Sequence, residues 1–474
     1  MKQLISYTFI VLAACCTLSC YKDLGNYKYK VPQGPVVSGL DSLYTATLGD
    51  TLTIAPSVTI ADKNARLGFI WRIDVPSGDS SVNFAGPKLQ YVFGLPPGGY
   101  NALLTIVDST DSMRYFYPFS VAGVTEYEKG TTILSLENGV SQLSFVDTLG
   151  KIQARVFRAL NGEDLPAGPK QLIPLADQYV LPSLTSSYWI ICSGGANPGV
   201  QIDANTFLTI KTLKDNFFSA PSTLVPGSFM SSPYGVMQGV VTGKVYTGTT
   251  QTWNQAPVYG MFSQAPLGNY ALYHQVAFNG TFPYFLGYDS VRQQFVVFTN
   301  FGSPAYVGTN YHVTDSTAFS PINAGLDLLD FEQINDQNCY AFGTANDTLY
   351  ELKFGAAFMG FVQLSPQYKR PFIRPDLITP TTKWASAPTE IFYFSSGSTI
   401  YSYNPLNQQV TALAMNFNGQ AITMLKVTDG GNTLITGVNG TVYFLDISTG
   451  QNGQLIKQIN NIPGAPIDVA VRKQ

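Results

Sequence analysis

The chain has 474 residues, a net charge of −3 and only 12% charged side chains. With no basic tract and no run of like charges, it lacks the electrostatic footprint of a nucleic-acid binder. Its length exceeds what one core fills, so two or three domains are expected. Forty-three Gly, 29 Pro and 13% aromatics in so little charge point to a β-rich, turn-rich fold.

The first element is an apolar run, Leu4–Leu18, interrupted by Ser6 and Tyr7 and preceded by Lys2. It is too short to span a bilayer comfortably and fits the hydrophobic region of a secretory signal. Cys15, Cys16 and Cys20 close it, after which the sequence turns polar. A signal ending at Cys is the pattern of a bacterial lipoprotein, in which the thiol takes a diacylglycerol and the peptide is cut just before it. Two sites compete. Leu12-Ala13-Ala14-Cys15 has the better local box, whereas Thr17-Leu18-Ser19-Cys20 leaves a more normal hydrophobic region and stands where polar sequence begins. Cys20 is the expected lipid site and Cys15 the alternative. Residues 1–19 then form the signal, and 20–36 the lipidated Cys and a tether rich in Tyr, Lys, Gly and Pro. Such a chain is anchored to a membrane without crossing it. Cys192 and Cys339 are expected as buried free thiols, a disulfide being the alternative in an exported protein.

Residues 37–124 carry short strand signals: Thr51–Ile54, Phe69–Ile73, Tyr91–Phe93, Tyr100–Asp108 and Arg114–Val121. Turn signals at the spacing of a β-sandwich separate them, and Trp71 is expected in its core.

Residues 126–474 differ. Four segments look alike: KVYTGT from Lys244, TLYELKF from Thr348, TIYSYNP from Thr399 and TVYFLDI from Thr441, the last three spaced by 51 and 42 residues. YFLGYDSVRQQFVVF from Tyr284 shows the same strand–turn–strand logic as TIYSYNPLNQQVTAL from Thr399. Asn-Gly pairs at Asn138, Asn161, Asn279, Asn418, Asn439 and Asn452 are expected to supply hairpin turns. A repeat of this length made of short strands predicts a β-propeller of seven blades, with six or eight as alternatives. Thr131–Leu136 and Pro466–Val471, strands at opposite ends of the region, are predicted to share a blade so that neither leaves an open edge.

CYKDLGNY from Cys20, GDTLTI, FIW, GGYNALLTIVD and TEYEKGTTILSLENG together resemble the PKD-like family lipoproteins of the Bacteroidota. The resemblance covers the first 140 residues well and the rest in outline. It implies a lipid on Cys20, an immunoglobulin-like PKD domain, a propeller-like C-terminal region and an association with outer-membrane nutrient import. It carries over no reaction and no ligand. Trp71 is followed by Arg-Ile-Asp where many PKD domains have a WDFGDG turn. Lys22-Asp23 after the Cys is a partial match to the signal for display at the cell surface.

Signals for chemistry are sparse. His274 and His312 lie in no HExxH or HxH pattern and are expected to be structural or surface residues. No serine-nucleophile elbow, phosphate loop or dinucleotide fingerprint is present. No catalytic residue, metal site or cofactor is therefore assigned. DLLDFEQINDQN from Asp327 is the most acidic run; it lacks the spacing of a calcium loop and reads as a solvated inter-blade loop. Trp189 reads as a buried strand residue. Trp253 and Trp384 sit in polar, Pro-bearing stretches and are the ligand candidates, since a loop Trp can stack on a sugar or anchor a protein partner. The alternative is that each packs onto its own blade. Tyr259 and Tyr273, with Tyr270 and Tyr284, stand near Trp253 in sequence and would extend that surface. The expected role is non-catalytic binding of a polysaccharide at the outer membrane. Docking onto an outer-membrane import protein comes second, and glycan cleavage by two carboxylates third.

Overall fold

The computed structural model describes residues 33–75, 80–176, 185–232, 234–250, 258–279, 284–301 and 303–473. The expected signal peptide, Cys15, Cys20, nearly all of the tether and Trp253 lie outside them. Among the described residues no helix is long and apolar enough to cross a membrane. The chain is all-β and divides into two compact units, Met1–Phe93 with Gly98–Gly123 and Gly94–Pro97 with Val124–Gln474.

In the first unit, a five-stranded sheet runs in the order Leu43–Thr47, Met113–Val124, Gly98–Asp108, Leu67–Asp74, Ser81–Ala85. Strict alternation sends Tyr100, Ala102, Leu104 and Ile106 inward from one strand, as a period of two requires. Trp71 is fully buried; its ring meets Phe119 edge-on at 5.9 Å and its N–H donates to Gly86 O at 2.9 Å. A short pair, Thr51–Ile54 with Leu89–Val92, adds Leu52, Ile54 and Leu89 to the buried set.

The second unit holds seven sheets among the described residues. Each has one leading strand, the one that contacts the leading strands of the sheets before and after it. Sheet 1 is led by Ala465–Arg472 and continues with Gly130–Glu137, Val140–Asp147 and Ile152–Gln153. Sheets 2 to 7 are led by Pro169–Ala176, Pro226–Ser231, Leu272–Asn279, Asp327–Asn335, Trp384–Ser386 and Met424–Thr428. Seven apolar clusters fill the spaces between consecutive sheets. One joins Leu134 and Leu143 of sheet 1 to Tyr188 and Ile190 of sheet 2, and another joins Ile435 and Phe444 of sheet 7 back to Ile133 and Val469 of sheet 1. The contacts thus run round from the seventh sheet to the first.

That return is made by the predicted pairing of distant strands. Gly130–Glu137 pairs with Ala465–Arg472, Gly130 opposite Arg472 and Ile133 opposite Val469. Arg472 is buried, and its Nη1 donates to Tyr127 O at 3.0 Å and Ala204 O at 2.8 Å, its Nη2 to Asn205 Oδ1 at 2.8 Å. One guanidinium therefore ties the last strand both to the segment that enters sheet 1 and to sheet 2. A second buried group joins sheets 5 and 6. Glu351 accepts from Tyr368 Oη at 2.6 Å, from Arg370 Nε and Nη2 at 3.2 Å each, and from the Tyr403 hydroxyl.

The four lookalike segments from Lys244, Thr348, Thr399 and Thr441 are each the third strand of their sheet. The lookalike hairpins are not equivalent: the one from Tyr284 joins second to third strand, the one from Thr399 third to fourth. Antiparallel neighbours joined by a polar turn look alike wherever they stand in a sheet. Asn138 and Gly139 do form a hairpin turn, at φ 50° and 83°. Asn161 instead ends the helix Val156–Asn161, with Gly162 as its left-handed cap. Asp327 to Asn335 is no solvated loop but the leading strand of sheet 5, with Asp330 buried. Trp189 is buried, as expected, and Cys192 and Cys339 are buried free thiols.

Replacing Arg472 by Ala leaves the buried carbonyls of Tyr127 and Ala204 without their donor. Chemical denaturation of Arg472→Ala should show a loss of roughly 2–4 kcal/mol. A loss below about 0.5 kcal/mol, the scale of a surface substitution, would remove this contact from the closure of the sheets.

Candidate functional site

The leading strands hold each other through side chains that reach the next strand's backbone. Gln171 Nε2 donates to Phe229 O at 3.3 Å while its Oε1 accepts from Phe229 N at 2.8 Å. Gln275 Nε2 donates to Phe331 O at 2.6 Å, and Lys426 Nζ to Val469 O at 2.7 Å. Asp468 accepts from Leu172 N through Oδ2 and from Lys426 through Oδ1, both at 2.8 Å. Packing is close enough that a Cβ at Gly227 would lie 2.3 Å from His274 O, so only glycine fits there.

This arrangement surrounds a cavity of about 470 Å³ near the first residues of six leading strands, those of sheets 1, 2, 3, 4, 6 and 7. Lys170, Gln171, Ser228, His274, Lys383 and Trp384 carry its polar and aromatic character. A second cavity of about 340 Å³ continues from it, sharing Lys383, Thr423 and Ile467 and adding Thr379, Thr381, Thr382 and Ser395. The ionisable groups lining both are basic. Lys170 Nζ donates to Pro226 O at 2.8 Å, and burial lowers its proton affinity. His274 Nδ1 stands 3.2 Å from Ser228 Oγ; burial first, and then the charge of Lys170, pull its proton affinity down. Lys383 is exposed in the cavity; its backbone N–H binds Ser395 Oγ, and its Nζ has no partner among the described residues.

Trp384 lines this cavity, but not from a loop. It opens the leading strand of sheet 6, half-buried, stacked on Phe342 at 4.7 Å and tilted against Phe394 at 5.2 Å. Its packing onto sheets 5 and 6 fixes the ring, and the cavity receives the remainder. Tyr273 stands beside His274, ring to ring at 4.0 Å, with its hydroxyl donating to Leu329 O at 2.8 Å. Tyr259 donates to Tyr234 O at 2.7 Å. Neither tyrosine is in the cavity wall. Tyr270 and Tyr284 are core residues, 4% and 0% exposed: Tyr270 stands just before the strand Leu272–Asn279 and stacks on Tyr306, and Tyr284 opens a strand that is buried along its whole length. Lys170, His274 and Lys383 were not candidates from sequence. A signal existed: PKQLIPLA and LYHQVAFN each place a basic residue before a Gln, and both Gln residues bind the next strand.

Sheet 5 lends no residue to the cavity wall. Its leading strand instead presents Asp330 and Glu332 on one face, as residues two apart on a strand must be. Asp330 Oδ2 is buried without a hydrogen-bond partner among the described residues. Burial, and then Glu332, raise Asp330 well above the carboxylate range. Burial pushes Glu332 up to about 7, with a hydrogen bond from Gln275 opposing.

Residues 20–169 match the PKD-like family, so the first unit and the early strands of the second carry that family's sequence. A comparison with curated proteins returns no match. Among solved structures, the chain is similar to a quinoprotein alcohol dehydrogenase-like protein from Bacteroides thetaiotaomicron, at 13% identity and a TM-score of 0.41, over 91% of this chain and 96% of that one. It is also similar to a functionally unknown protein from Desulfotomaculum acetoxidans, at 11% identity and a TM-score of 0.43, over 72% and 98%.

The acid pair makes stability depend on pH. Glu332 moves from an ordinary value of 4.5 to about 7 on folding, so between those values the unfolded chain releases a proton that the folded chain keeps. Stability falls as pH rises through that window and levels off above it. Glu332→Gln should therefore raise the unfolding temperature at pH 8 and leave it nearly unchanged at pH 4.5. Thermal melts at the two pH values check this, and an equal effect at both would contradict it.

Proposed function

We propose that this is a lipid-anchored protein of the outer-membrane surface whose C-terminal unit is a closed, seven-bladed β-propeller, and that the mouth of its central channel binds a glycan without cleaving it. Seven consecutive sheets, seven apolar clusters between them and a first sheet shared by both ends of the unit support the propeller reading. The apolar run ending in Cys20, and the polar sequence after it, support the anchor.

The observation that carries the binding reading is the cavity at the leading strands, with Trp384 held against it. The part of the Trp384 ring that Phe342, Phe372 and Phe394 leave uncovered is held at little entropic cost, which suits contact with a sugar. Ser228, Thr381, Thr382 and Thr423 line the cavities with hydroxyl groups suited to sugar hydroxyls. Binding is favoured over cleavage because hydrolysis needs two carboxylates flanking the scissile bond. The described residues lining both cavities include none. Asp330 and Glu332 come from one face of one strand rather than from two sides.

The test uses the full chain in detergent, which accommodates the expected lipid, against a panel of polysaccharides. Retention and newly released reducing ends are scored together. Retention without new ends, weakened at least roughly tenfold in Trp384→Ala and less in Trp384→Phe, is expected. New reducing ends would overturn the non-catalytic reading. Failure of every glycan, with capture of an outer-membrane import protein instead, would favour the docking role.

A further inference from the structure

The lysines and the histidine at the channel mouth say more about the ligand than its hydroxyls do. Lys170, His274 and Lys383 come from the leading strands, or the residues just before them, of sheets 2, 4 and 6. They approach one cavity from three different sheets. The chain has only 27 Lys and Arg and two His in 474 residues and is negative overall, so their meeting does not follow from composition. Lys170 and Lys383 are like charges in one concave site, where they repel and the walls focus their field. Several basic residues elsewhere in the unit have an acid partner, Lys353 with Glu390 at 2.9 Å, Arg370 with Glu351 at 3.2 Å and Lys426 with Asp468 at 2.8 Å, whereas Lys244 and Lys369, like Lys170, are held by backbone carbonyls. At the mouth, the described lining residues supply no acid, and Lys383 Nζ has no partner among the described residues.

Resting on the glycan-binding reading, we propose that the ligand is an anionic oligosaccharide, bearing carboxylate or sulfate groups, whose charge is taken by Lys383 together with Lys170, the imidazole of His274 serving as a neutral hydrogen-bonding neighbour. Lys383 stands where the two cavities meet, so the anionic group sits mid-ligand. Neighbouring sugars extend one way over Trp384 and the other way along the shelf of Thr379, Thr381 and Thr382. Lys170, whose ammonium is partly committed to Pro226 O, contributes charge more than a free donor. His274, with Ser228 on its Nδ1, completes the wall opposite.

Lys383→Gln is the informative variant, because Lys383 is exposed and its Nζ makes no contact on which folding depends. Affinity is measured on the full chain in detergent with three probes of matched length: oligogalacturonides for carboxylate, chondroitin sulfate oligosaccharides for sulfate, and malto-oligosaccharides as the neutral arm. The expected result is that at least one acidic probe binds roughly tenfold or more tighter than the neutral one. That advantage shrinks in Lys383→Gln and as salt rises from 50 to 500 mM, on the order of the change that screens an exposed charge. Which acidic probe binds identifies the anionic group. Neutral probes binding as well as acidic ones, unaffected by Lys383→Gln, would overturn this inference and leave glycan binding standing. Binding of acidic probes that ignores both Lys383→Gln and salt would overturn the placement at the mouth. No binding by any of the three would overturn the inference together with the glycan reading it rests on.

Discussion

The pairing of Gly130–Glu137 with Ala465–Arg472 is the constraint on which the second unit depends. A run of sheets that touch only their neighbours has two ends, and each end would expose a strand edge and half of an apolar cluster. Here the last strand of the chain leads the first sheet. The cluster of Ile133, Val146, Ile435, Phe444 and Val469 is then shared between sheets at opposite ends of the sequence. Arg472 extends the same junction to Tyr127, Ala204 and Asn205. The energetic weight lies in the apolar cluster, since burial scales with area. The ladder and the guanidinium set its register.

Closure also decides which polar side chains have work to do inside. Leading strands that converge must satisfy each other's backbone groups, because buried carbonyls and N–H groups without partners are costly. Gln171, Gln275, Lys426 and Asp468 meet that need and are structural for that reason. The side chain of Lys383 meets no such need, Lys170 meets it through one contact, with Pro226 O, and the imidazole of His274 contacts only the Ser228 hydroxyl. Polar groups that the fold uses and polar groups that it merely displays are thus separable on geometry, one residue apart in the chain: Lys170 beside Gln171, His274 beside Gln275.

This one-residue distinction explains what was legible in the sequence. Period-two alternation and the Thr-x-Tyr repeat exposed the strands, the sandwich core at Trp71 and the partnership of the first and last strands, because burial on one face leaves a local mark. Trp384 was a candidate for a mixed reason: its polar neighbours suggested a loop, whereas its stacking on Phe342 comes from a sheet that the sequence does not place beside it. Tyr270 and Tyr284 failed as surface residues because nearness in sequence to Trp253 says nothing about burial: Tyr270 packs on Phe298 and Tyr306, and the strand of Tyr284 is buried on both faces. The acidic run from Asp327 looked solvated because charge normally is; only the leading position of its strand buries Asp330. The cavity itself was not legible, since it is assembled from six strands spread from residue 169 to residue 467, and no local pattern encodes convergence.

The same convergence sorts the charges. Acids of the unit are compensated one by one: buried Glu351, on the third strand of sheet 5, by Arg370 and two tyrosines, half-buried Glu390 by Lys353 and Tyr340, and half-buried Asp468, on the leading strand of sheet 1, by Lys426 and a backbone N–H. Asp330 is held toward its protonated form by burial and then by Glu332, and Glu332 by burial against a hydrogen bond from Gln275. Asp468, on the leading strand of sheet 1, is spent on Lys426 and Leu172 N, and the described lining of the cavities holds no acid. The bases that line it are not matched in the same way. A chain whose net charge is −3 can present a positive mouth because the field at a concave site depends on which charges are left unpaired there, and not on the total.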